Sequence, residues 1–298
     1  MTFNEVVRVD TADEAFAQWW NCLINQGDKI ESRDGMVVGE CINAITVIND
    51  PTRCIMRNKI RKMPIRYAIG EMLWYMSGKN EVKPIQIYTD NWNRMSDDNI
   101  HVNSNYGYCI KYKYGFDQWE YVRKLLSDAP ETRQAVIHIK EPRNIPSKDV
   151  NCTVSLQFIL RDNKLYLTVY MRSNDLWLGF PFDVFQFANM QILMAMELGV
   201  ELGTYTHIAG SLHLYERDFK TGWDNASKDK PKTISDISKA KEEAGNEWMN
   251  EKDKLIAEAL RKADAQFGIS EKLREAIDSE HKVLGTGKSP IKGVGDGI

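Results

Sequence analysis

Two periods alternate along this chain, one of about three and a half residues and one of two, and the changes between them mark out its elements. Thr11 followed by Glu14 has capping-box spacing, in which each side chain satisfies the other's backbone N–H, so a helix is predicted from there through about Leu23. The apolar-rich stretch 36–48 reads as a strand or hairpin, ended by the Asn49-Asp50-Pro51 turn. Residues 64–76 carry Ile65, Ala68, Ile69, Met72, Leu73 and Met76 at helical spacing, with Pro64 tolerated in the first turn and Gly78 just past the end. Glu71 flanks that apolar side, close enough to point into a cleft. Residues 91–105 are polar and irregular apart from Trp92, which suggests a ligand-facing loop, and 116–126 reads as a short helix.

Strands are predicted at 135–139, 153–160 and 164–170, the last two joined by the Arg161-Asp162-Asn163 turn, and another at 204–209. Between them, 182–198 is the central long helix, ended by Gly199. Its polar residues Gln186, Asn189, Gln191 and Glu197 make it a buried or interfacial helix rather than a membrane span. After Asp218 the composition shifts to Lys, Glu, Asp and Ala, with helical periodicity at 234–265 and 270–283. The tail 285–298 holds five glycines and one proline. A main domain over 1–218 is therefore expected, followed by a charged helical extension with a flexible tail over 219–298.

A chain of 298 residues can bury a large core. Its 39 basic and 42 acidic residues, net charge -3, give no general attraction to nucleic acid or membranes, so no stable nucleic-acid partner is expected. No uninterrupted apolar run reaches the roughly 18 residues of a membrane span, and no N-terminal run resembles a signal peptide. The five cysteines lack paired spacing and read as reduced thiols in a cytoplasmic setting; no metal site is expected. Dinucleotide and P-loop fingerprints are absent.

The chemistry concentrates between Cys152 and Tyr215. Cys152 stands twenty positions before Arg172, and Arg172-Ser173-Asn174-Asp175 leads into Gly179-Phe180-Pro181-Phe182-Asp183. Gly210-Ser211-Leu212-His213-Leu214-Tyr215 adds polar side chains to an apolar stretch. A lone cysteine is ordinarily a small buried hydrophobe. Here it is accompanied by a cation for an anionic ligand and a carboxylate able to read a polar ring. The set points to covalent chemistry on a phosphorylated pyrimidine.

Over about 30–217 the chain resembles the thymidylate synthase superfamily, most closely its deoxycytidylate hydroxymethylase branch. Cys-Thr, Arg-Ser-Asn-Asp and Gly-Ser-Leu-His-x-Tyr follow that branch; Thr153, Asp183 and Ser211 stand where thymidylate synthases usually have histidine, asparagine and aspartate. The resemblance implies an α+β fold, a large mixed β-sheet packed by long helices, with methylenetetrahydrofolate as cofactor and a homodimer as the working form. It casts Cys152 as nucleophile, Glu71 as proton relay and Asp183 as base reader. Arg172, Ser173, His213 and Tyr215 would hold phosphate and sugar, with Arg33 as a further phosphate ligand. Arg133 would reach the phosphate of the partner subunit, in the segment Pro130-Glu131-Thr132-Arg133-Gln134, where the family commonly has two adjacent arginines. Trp92, Asn105, Asp175 and Gly179 would line the cofactor. The family's hydrophobic C-terminal closing segment is not recognisable in 293–298.

Thiolate addition at C6 of the ring makes C5 nucleophilic, and a cation near Cys152 is expected to favour the thiolate. A carboxylate at 183 accepts from the exocyclic N4–H of cytosine, whereas against uracil it meets O4 acceptor to acceptor. The expected reaction is thus 5-hydroxymethylation of dCMP by methylenetetrahydrofolate and water. CMP hydroxymethylation, dCMP methylation and dUMP methylation are alternatives, as is an inactive nucleotide- or RNA-binding homologue.

Overall fold

Thr11 and Glu14 form the expected capping box: the Glu14 N–H donates to Thr11 Oγ1 at 3.1 Å and the Thr11 N–H to Glu14 Oε2 at 3.2 Å. They open α1 (Ala12–Asn25), which follows β1 (Val6–Val9). The structure is a computed structural model that describes residues 6–25, 27–32, 35–56, 60–142 and 146–227. Arg33 and the helical periodicity of 234–283 lie outside the described residues.

Next come β2 (Asp28–Glu31), β3 (Val37–Ile48) and α2 (Ile65–Ser77), whose C-terminus turns through left-handed Gly78 at φ 70°. The stretch expected to be an irregular ligand-facing loop is more ordered. It begins with the short helix α3 (Asn91–Met95) and ends on Asn105, the fully buried N-cap of α4 (Tyr106–Lys111). Asn105 Oδ1 accepts the Tyr108 N–H at 2.7 Å. Asparagine favours caps as much as loops, and composition cannot separate the two.

After α5 (Gln118–Asp128) and β4 (Val136–His138), β5 (Thr153–Arg161) and β6 (Lys164–Met171) form a hairpin. Its turn residues Asp162 and Asn163 both take positive φ, 50° and 59°, as a two-residue type I′ turn requires. The two-residue β7 (Asn174–Asp175) precedes α6 (Phe180–Leu198), and Gly199 ends α6 at φ 68°. β8 (Glu201–Tyr215) is 15 residues long, well beyond the predicted 204–209, because it pairs with β3 on one side and with β6 and β7 on the other. α7 (Glu216–Ser227) runs unbroken through Asp218.

The eight strands make one mixed sheet ordered β1-β3-β8-β6-β5-β4, with β2 on β3 and β7 on β8. This is the α+β architecture that the resemblance implies. α6 is apolar around most of its circumference and is buried along nearly its whole length. Its internal amide nitrogens find partners: Gln186 donates to the Ala68 carbonyl, Asn189 to that of Phe185, and Gln191 to that of Leu165. The opposite sheet face is open. The ladder Ser155, Tyr170, Ile208, Ile45, Val6 crosses five strands without a buried member.

Candidate active site

Cys152 directly precedes β5 and Arg172 directly follows β6, so their twenty-residue spacing is the length of one hairpin, out and back. The Arg172 N–H donates to the Cys152 carbonyl at 2.9 Å, and Arg172 Nη2 stands 3.7 Å from Cys152 Sγ. Backbone carbonyls hold the guanidinium there: Nε donates to Asn151 O and Nη2 to Val150 O, both at 3.0 Å. Arg172 does favour the thiolate, as expected, but it acts against burial. Burial pushes the Cys152 thiol up, and Arg172 opposes but does not overcome it, while Asp183, Asp149 and Asp175 add to the rise. The thiol is the resting form, and its proton must leave as the sulfur attacks.

Asp183 sits in the first turn of α6 with its side chain withdrawn from solvent, 9% exposed. Its Oδ1 accepts from the Tyr106 hydroxyl at 3.1 Å and its Oδ2 from Asn174 Nδ2 at 2.8 Å. Burial first, then the charge of Glu71, pushes its carboxyl up to about 7. Gly179 is required here, since a Cβ on it would lie 2.8 Å from Asn174 Nδ2 and 3.1 Å from Asp183 Oδ2. Asp175 shapes the approach to α6, accepting the Trp177 and Leu178 N–H groups at 2.7 and 3.0 Å. Ser173 is half-buried between Arg172 and Asn174.

Glu71 is buried rather than flanking, at 3% exposure. Its Oε1 accepts from the Tyr67 hydroxyl at 2.5 Å and its Oε2 from Gln186 Nε2 at 2.9 Å. Burial pushes it up to about 7, against the pull of these donors. Trp92, half-buried, donates through Nε1 to the Tyr67 oxygen at 3.0 Å. Tyr67 packs edge-on against Phe182 at 4.8 Å, and the Arg61 guanidinium lies 5.3 Å from the Trp177 ring centroid and 5.9 Å from that of Phe182. Tyr67, Arg61, Tyr106, Asn174 and Gln186 have places in this site that the sequence reading did not assign. Asn174 was inside a quoted motif, and Gln186 was read only as a polar position of the central helix.

His213 and Tyr215 stand edge to face at 5.3 Å on β8, where His213 pairs in register with Asp175. The Arg217 guanidinium lies over the Tyr215 ring at 4.6 Å. Arg133 is not brought to Cys152 within one chain. β4–β5 pairing puts it near position 160, eight residues along β5, which is about 26 Å away at strand rise. A cavity of about 550 Å³ borders Val150 and Asn151 and is lined also by Asp98, His101, Lys113 and Asp149, but not by Cys152, Glu71 or Asp183. No helix among the described residues is long and apolar enough to cross a membrane.

Cys152 thus lies beside Arg172 at the start of a sheet hairpin, and the buried Asp183 acts on its thiol through charge. The sequence model of one family, described as thymidylate synthase, matches residues 14–254. The chain belongs to the thymidylate synthase family. Members of this family transfer a one-carbon unit from methylenetetrahydrofolate to a pyrimidine nucleotide. A protein of Bacillus phage SP01 named deoxyuridylate hydroxymethyltransferase is 33% identical over 212 residues, which cover 66% of this chain. This thymidylate synthase family member spans 55% of the length of that relative.

Proposed function

We propose that this chain is a 5-hydroxymethylase of dCMP that works with methylenetetrahydrofolate and water. The observation that carries the reading is the buried carboxyl group of Asp183, held between Tyr106 and Asn174. Ionised, it accepts the cytosine N4–H and repels uracil O4; a buried acceptor-to-acceptor clash costs about 1–3 kcal/mol, roughly tenfold to over a hundredfold in preference.

Cys152 adds through sulfur to C6 and gives up its proton, leaving C5 electron-rich. The surroundings of Glu71 suit a flat heteroaromatic ligand with an acidic tail: Trp92 and Tyr67 offer ring surface and Arg61 a cation. Trp92, Asn105, Asp175 and Gly179 would hold the folate. When bound, it supplies the one-carbon unit that C5 takes up. Glu71, poised near neutral pH with Tyr67, moves protons about the 4-position and orders the water that captures the exocyclic methylene. Cys152 then departs, releasing 5-hydroxymethyl-dCMP.

A homodimer belongs to the same reading. The open sheet face leaves room for a second copy, and Arg133, far from its own Cys152, becomes a phosphate ligand only across such an interface. The five cysteines, read as thiols without paired spacing, support a cytoplasmic setting.

Hydroxymethylation of dUMP is the second reading. The name of the phage relative favours it, and so does the near-neutral titration of Asp183, because a protonated carboxyl can donate to uracil O4. The deciding experiment incubates the full chain with methylenetetrahydrofolate and dCMP, dUMP or CMP, with mass spectrometry of the nucleotide and absorbance for dihydrofolate. The expected result is a CH2O gain on dCMP without dihydrofolate. A gain on dUMP alone supports the second reading, and dihydrofolate production overturns both. No product from any nucleotide points to a binding protein.

A further inference from the structure

Behind Asp183 runs a buried chain of hydrogen bonds that no catalytic step uses. Tyr205 OH lies 2.8 Å from His207 Nδ1, His207 Nε2 lies 3.1 Å from Asn174 Oδ1, and Asn174 Nδ2 lies 2.8 Å from Asp183 Oδ2. All four residues are at least nine-tenths buried. Sequence reading singled out His213 and passed over His207, which occupies an inward position of β8 among apolar neighbours.

The chain has a direction. Asn174 Oδ1 can only accept, so His207 Nε2 carries the proton; a neutral imidazole then has a bare Nδ1, which accepts the Tyr205 O–H. Burial pushes His207 down to about 3, so it stays neutral throughout the working range. Reversal would require Asp183 to donate to Asn174, Asn174 to His207 and His207 to Tyr205. That would set the Tyr205 O–H, fully buried, against a donor at His207 Nδ1.

Direction matters because cytosine and uracil present opposite donor and acceptor orders at N3 and the 4-position. A neutral carboxyl whose proton can move between its oxygens satisfies either order. With the Asn174 amide pinned, Asp183 Oδ2 is held as the acceptor and any proton resides on Oδ1, beside Tyr106. We infer that Tyr205 and His207 are positioning residues that set base selectivity, without touching the nucleotide, by fixing which way round the Asn174 amide faces Asp183. This rests on the proposal that Asp183 reads the base.

The test is the ratio of kcat/KM for dCMP and dUMP in the wild type, Tyr205→Phe and His207→Phe, with 15N NMR of the histidine rings. The wild type is expected to show His207 as the Nε2–H tautomer, with no titration between pH 6 and 8, far above its value of about 3. Both variants are expected to move the ratio toward one by roughly tenfold, whereas general loosening would lower both constants alike. Should His207→Phe fail to fold, Tyr205→Phe removes a single oxygen and carries the test alone. An Nδ1–H tautomer in the wild type, or an unchanged ratio in folded Tyr205→Phe, overturns the inference. A wild type that prefers dUMP defeats the dCMP reading separately, since the same collapse toward one is then expected from the other side. If neither nucleotide reacts, the activity reading fails and the tautomer measurement decides.

Discussion

Glu71 on α2 and Asp183 on α6 are both buried, and the charge of Glu71 raises the proton affinity of Asp183 across the cleft. Each is pushed up to about 7, mainly by loss of water. The folded protein therefore holds protons that the unfolded chain releases near pH 4. Stability from these groups is full below the unfolded value and is lost as pH rises through about 7. The melting temperature should fall between pH 5 and 8, and Glu71→Gln with Asp183→Asn should flatten that slope. An equal slope in the double variant removes the carboxylates as its cause.

Asp183→Asn replaces an acceptor with a group that can serve N3–H and O4 together. Preference should shift from dCMP toward dUMP by roughly tenfold to a hundredfold, read as the ratio of kcat/KM. An unmoved ratio would take base reading away from Asp183.

The Cys152 thiol is raised by burial and lowered by Arg172. Its alkylation by iodoacetamide, mapped by mass spectrometry, should have a midpoint above that of an exposed thiol, and Arg172→Gln should move the midpoint higher still. A downward move contradicts the contact between Arg172 and the sulfur.

Gly179→Ala places a Cβ 2.8 Å from Asn174 Nδ2 and so pushes on the contact with Asp183. The fold should survive, with a stability loss of about 1–3 kcal/mol, while kcat/KM for dCMP falls at least tenfold. Full activity in this variant would mean that the Asn174–Asp183 contact is dispensable.

Arg133 and Cys152 are predicted to serve one site from two subunits. Cys152→Ala and Arg133→Ala, each impaired alone, should on mixing and subunit exchange recover about a quarter of wild-type activity, because half of the dimers carry one intact site. No recovery, with exchange verified by mass spectrometry, would remove Arg133 from the shared site.

The sequence by itself determined what short-range rules control. The capping box at Thr11 and Glu14, the stops at Gly78 and Gly199, and the Asp162-Asn163 turn follow from backbone sterics and local hydrogen bonds. Motif spacing gave Cys152, Arg172 and Asp183, because one hairpin and one helix start fix their separation along the chain. Only the tertiary structure decided the rest. Pairing on both sides lengthened β8, burial overrode Arg172 at the Cys152 thiol, and Asn105 became a cap instead of a loop residue. Tyr205, His207, Asn174 and Asp183 meet only when β7, β8 and α6 are packed together, and desolvation and hydrogen-bond direction exist only once that packing has formed.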